Sequence, residues 1–84
     1  MIFLVEYDRA KGKLVTFTAF DDSEAVSAKK LRLDLELELS CNGIDHEVVL
    51  LQAASEEALR RTHRRYFEDP SQIAMSATNG TNSR

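Results

Sequence analysis

The chain has 84 residues, a formal net charge of −3 and 43% hydrophobic residues, which bounds it to one domain. It holds no run of about 18 apolar residues, so no membrane-spanning helix is expected, and its acidic balance gives no general attraction to nucleic acid. Cys41 is the one cysteine, which excludes an intramolecular disulfide, and no Cys/His cluster has metal-ligand spacing; no metal or cofactor is expected.

Residues 1–5 are apolar but run straight into Glu6. That is too short for a secretory signal, and a cytoplasmic location is expected. Residues 2–7 read as a first strand, rich in β-branched and aromatic side chains. Residues 13–20 read as a second, with Val15, Phe17 and Ala19 on one face and Leu14, Thr16, Thr18 and Phe20 on the other. Between them, Asp8 suits the first position of a type I turn and Gly12 the left-handed position that closes such a hairpin. Asp21 as N-cap, with Glu24 three residues on, has capping-box spacing. It opens a helix that runs to about Ser40, and Asn42-Gly43 supplies the stop. Residues 46–53 contain Val48-Val49-Leu50-Leu51 and read as a third strand. Ser55, Glu56 and Glu57 cap a second helix ending near Phe67, and Pro70 prevents its continuation.

The order β-β-α-β-α predicts an α+β domain over residues 1–67. Its sheet has three antiparallel strands in the order 2-1-3, with both helices on one face. Residues 68–84 are polar and small, and are expected to form a disordered tail. A folded part of about 67 residues buries only about 60% of its unfolded surface and is marginal alone. Dimerisation is a common remedy.

Leu31, Leu33, Leu35, Leu37 and Leu39 alternate with Arg32, Asp34, Glu36 and Glu38. Alternation is the period of a strand, but Leu, Arg and Glu favour helix, and Asp and Glu are depleted in strands. Read as a helix at 100° per residue, the segment carries two stripes. Ala25, Ala28, Leu31, Leu35 and Leu39 form a core stripe, while Val26, Leu33 and Leu37 lie on the opposite side. Single exposed leucines are common on protein surfaces. Here, however, the second face of the sheet also reads as apolar. The two surfaces together predict a partner, in the first place a second copy of the chain, and Val26, Leu33 and Leu37 are the candidate interface.

The second helix carries Arg60, Arg61, Arg64 and Arg65 on one side, with Ala58, Leu59, Thr62 and Tyr66 on the other. One reading is an anion or nucleic-acid face, with Tyr66 stacking on a base. The other is a solvated face in which the arginines pair with Glu56 and Glu57 one turn back. The acidic balance favours the second. His63 and Tyr66, three residues apart, are expected to be structural and to share a hydrogen bond. His46 follows Asp45 and is expected to bond locally. Cys41 has no basic neighbour to activate it and reads as an inert, partly buried thiol. Asp34, Glu36, Glu38 and Glu47 match no calcium-loop spacing. With no nucleophile, paired carboxylates or phosphate loop, no enzyme is expected.

Residues 48–67 contain a Ser-x-x-Ala-Leu-Arg-x-Thr-His-x-Arg-Tyr-Phe stretch. The segment resembles the ending of a family of short uncharacterised bacterial proteins that also begin with a strand, a turn and a second strand; the resemblance implies no activity. The hairpin-then-helix order is also similar in topology to small antitoxins of the HicB type, which have a partial ribonuclease-H fold, but likeness of topology does not carry function. The expected role is a small cytoplasmic protein-interaction or regulatory module acting as a homodimer. The alternative is RNA or DNA binding through the arginine face.

Overall fold

The computed structural model describes residues 1–68. Its elements are β1 (Ile2–Asp8), β2 (Lys13–Phe20), α1 (Ala25–Cys41), β3 (Glu47–Gln52) and α2 (Glu56–Thr62). Single 3-10 turns at Asp22–Glu24 and Arg64–Tyr66 precede α1 and follow α2. The strands form one antiparallel sheet in the order β2-β1-β3, as the sequence predicts. Of the tail expected over residues 68–84, only Glu68 is among the described residues.

Local chemistry sets the turns. The Asp8 carboxylate accepts the amide hydrogens of Ala10 and Lys11 at 3.0 and 3.1 Å. Gly12, at φ +66°, donates its N–H back to the Asp8 carbonyl at 2.7 Å. The Asp21 carboxylate accepts from the Ser23 amide, and the Glu24 carboxylate accepts from the Asp21 amide at 2.8 Å, which completes the capping box. At the other end of α1, Gly43 adopts φ +67° and donates to the Ser40 carbonyl, while Ile44 donates to Leu39. A left-handed residue with reaching-back amides is how many helices satisfy their last carbonyls.

Two details of the sheet depart from simple alternation. The register slips between Glu6 and Tyr7, so Glu6 faces Thr16 while Tyr7 faces Leu14. Val15 is the extra residue of a bulge and is 51% exposed. Leu14 and Phe17, expected on opposite faces, therefore both pack with Val5, Tyr7 and Tyr66.

The larger correction concerns the helices, which do not share one face. Ile2, Leu4 and Phe20 pack with Ala28, and Ala25 and Leu35 of α1 join that cluster. On the opposite side of the sheet, Val5, Tyr7, Phe17, Val49 and Leu51 pack with Tyr66 and Phe67 from the segment after α2. The sheet is thus the middle layer of three. The cause lies in β1, whose six residues from Ile2 to Tyr7 are all buried. A strand apolar on both sides stays dry only if both sides are covered. Covering one side alone would leave Phe3 and Val5, both fully buried, in water. The apolar second sheet face that pointed to a partner is covered from within the chain.

Candidate interaction surface

α1 meets the sheet through Ala28 and Leu39, both buried, and through half-buried Leu35. Arg32 lies on the same side: it is half-buried, and its Nε is buried without a hydrogen-bond partner among the described residues. An arginine in the inner stripe lays its aliphatic stem on apolar neighbours while its charged end reaches outward. The helix is rolled accordingly, and Leu31, expected in the core stripe, is 47% exposed.

Opposite that inner face lie Val26, 82% exposed, Leu33, 53%, and Leu37, 57%. The structure therefore places the three predicted interface residues together on the outer side of one helix. Charge is segregated along the same helix. Lys29, Lys30 and Arg32 precede Leu33, while Asp34, Glu36 and Glu38 follow it. Lys30 pairs with Asp34 at 3.7 Å. Lys29 and Glu36 have no ion-pair partner among the described residues. This order is unhelpful to an isolated helix. No acidic residue stands in the first turn of α1 and no basic one in its last, so the helix dipole gains nothing from these charges, and Lys before Asp at i,i+4 is the weaker orientation.

The arginine segment is built differently from its sequence reading. α2 ends at Thr62, and His63 leaves helical geometry at φ −124°, ψ 53°. The following 3-10 turn swings Tyr66 under the sheet, where it is 5% exposed. Its hydroxyl donates to the Glu47 carboxylate at 2.6 Å, and Arg65 donates to the same oxygen at 2.8 Å. Burial, reinforced by that hydrogen bond, pushes the Tyr66 phenol up to about 12. The hydroxyl hydrogen bond, with Arg65 behind it, holds the Glu47 carboxyl below the usual glutamate value. Tyr66 and His63 share no hydrogen bond, contrary to expectation: the His63 ring stacks at 6.4 Å from Tyr66, and its Nδ1 faces the Thr62 hydroxyl. All four arginines have a carboxylate partner: Arg60 with Glu56 at 2.8 Å, Arg61 with Glu57 at 4.0 Å, Arg64 with Glu68 at 3.4 Å and Arg65 with Glu47. Arg60 also lies over the Phe67 ring and Arg65 over Tyr66.

A third group escaped the sequence reading. Glu6 is 5% exposed on the α1 side of the sheet. The Thr16 hydroxyl donates to its Oε1 at 2.7 Å, and His46 Nδ1 lies 2.6 Å from its Oε2. His46 Nε2 lies 3.5 Å from the Asp8 carboxylate, so the ring bridges two acids of β1 and ties the loop before β3 to the hairpin. The signal available was a lone glutamate in an otherwise apolar strand, but its partner is 40 residues away. Cys41, expected partly buried, is exposed.

Among the described residues, no group of three His, Cys, Asp or Glu side chains is placed to hold a metal ion, and no helix is long and apolar enough to cross a membrane. No protein-family model, curated protein or solved structure matches the chain.

Proposed function

We propose that the chain is a cytoplasmic protein-contact module whose working surface is the outer face of α1, and that it pairs there with a second copy of itself. The observation that carries this reading is the exposed stripe Val26, Leu33 and Leu37 on a helix whose inner face is already packed on the sheet. Each such side chain, if fully buried, contributes about 1.5–3 kcal/mol, a large share of the stability of a domain this small. A patch joined to itself across a two-fold axis is self-complementary, and two-fold dimers are the commonest symmetric homo-oligomers.

Light scattering at high micromolar concentration is expected to give twice the chain mass. Combining Val26→Asp with Leu37→Lys is expected to give a folded monomer, since both positions are exposed in the single chain. A monomeric parent protein would refute the reading. A dimer unaffected by the double substitution would move the contact elsewhere, the open edge of β3 being the next surface to test.

A further inference from the structure

We propose that the two copies of α1 pack antiparallel, about a two-fold axis beside Arg32 and Leu33, with the charges flanking the apolar stripe selecting that orientation. This deepens the reading of α1 as the contact surface and rests on it.

The placement follows from helix geometry. With Val26, Leu33 and Leu37 facing the partner, Lys29 and Glu36 fall on one flank of the stripe, and Lys30 and Asp34 on the other. In an antiparallel pair related by a two-fold axis, each flank meets its own copy, and residues whose numbers add to a constant lie opposite each other. Lys29 faces the second copy's Glu36 when the axis lies between residues 32 and 33. Lys30 faces the second copy's Asp34 when it lies at residue 32. The two pairs thus place the axis within about half a residue of each other along the helix, and symmetry doubles each of them. Leu33 then meets its own counterpart near the axis, and Val26 lies over the stretch between the other copy's Leu37 and Ser40.

The parallel arrangement gives the reverse. There each flank meets the opposite flank of the partner at the same height, so Lys29 approaches Lys30 and Glu36 approaches Asp34. Like charges would meet at both ends of the contact, and like-charge juxtaposition is how interfaces reject a wrong geometry. The segregation of charge along α1, unfavourable to the single helix, is what an antiparallel copy complements. Lys29 and Glu36, without ion-pair partners among the described residues, gain one each. The leucines supply affinity and the charges supply orientation, since exposed ion pairs contribute little on their own.

Charge reversal separates the two orientations, because the expected direction of change differs. The dimer dissociation constant would be measured by sedimentation equilibrium at low salt, with circular dichroism confirming helix content. Lys29→Glu alone and Glu36→Lys alone are each expected to weaken the dimer about tenfold, and the two together in one chain to restore it. Tighter dimers from both single variants would indicate parallel packing and overturn the proposal. Unchanged dimers in all three variants, with Val26→Asp plus Leu37→Lys still dissociating the protein, would overturn this register while leaving α1 as the contact. A parent protein that stays monomeric overturns both the register and the contact surface.

Discussion

Tyr66 and the Glu6–His46 pair show how strongly surroundings decide what a side chain does in this fold. Tyr66 was a candidate stacking platform, but its ring is buried edge-on against Tyr7 and its hydroxyl is committed to Glu47. The consequence is a dependence of stability on pH at both ends of the scale. A phenol raised from 10.0 to about 12 is favoured neutral by the fold. Its contribution is therefore complete below pH 10 and is lost as pH rises from 10 toward 12. Glu47 is lowered instead, so what it adds is present above its ordinary value of 4.5 and is lost as pH falls below that. Urea unfolding of the parent protein and Tyr66→Phe at pH 8, 10 and 11.5 tests this. The variant is expected to be less stable at pH 8 by about 1.5–3 kcal/mol, the range for a hydrogen bond to a charged group. The gap should narrow markedly at the highest pH. A gap that stays constant would show that the hydroxyl does not titrate against the fold. Glu6 and His46 make the same point from the opposite direction. Neither residue type signals a partner, yet burial leaves the carboxylate no water, and the imidazole and the Thr16 hydroxyl take water's place.

At the scale of elements, what the sequence made legible was whatever depends on near neighbours. The capping box at Asp21, the glycine stops at Gly12 and Gly43 and the three strands each follow from residues within a few positions of one another. Asp21→Ala is accordingly expected to cost about 1 kcal/mol, the usual worth of an N-cap, read as a lower urea midpoint with an unchanged slope. A null effect would mean that the preceding turn holds α1 without its cap. The failures all involve a decision made by distant parts. The bulge at Val15 depends on how β2 must twist against β1. The break at His63 carries Tyr66 and Phe67 to the sheet, which a continuous helix on the α1 side cannot reach. The roll of α1 admits Arg32 to the inner face and turns Leu31 outward, a choice a helical wheel cannot make between neighbouring positions. The outer stripe survived because a displacement of a few tens of degrees leaves Val26, Leu33 and Leu37, directly opposite the sheet, still facing water. The Glu6–His46 pair could not be foreseen because no local period joins residues 40 apart.

For the whole molecule, the question is which surface can receive a partner, and charge decides it as much as hydropathy. Both faces of the sheet are covered, one by α1 and the other by the segment from α2 to Phe67. The outer side of α1 therefore stands as the apolar helix face, while the arginine segment is a polar one. Its four arginines are matched by four carboxylates, Glu56, Glu57, Glu68 and Glu47, so the segment carries no excess positive charge over its ion-pair partners. Nucleic-acid affinity of the sequence-independent kind comes from cations that release counterions from phosphates. A phosphate approaching here would compete with a glutamate already in place, on a chain of net charge −3. Tyr66 offers no ring for a base, being 5% exposed. A fluorescence titration of a labelled single-stranded RNA and a duplex DNA at about 50 mM salt, where phosphate-driven binding is strong, is therefore expected to be flat to high micromolar protein. Neutralising the acids with Glu56→Gln and Glu57→Gln should be needed before any binding emerges, and that binding should then fall steeply with added salt. Salt-sensitive binding by the unaltered chain, abolished by Arg60→Ala with Arg64→Ala, would show that phosphates outcompete the glutamates. The arginine segment would then replace the outer face of α1 as the working surface.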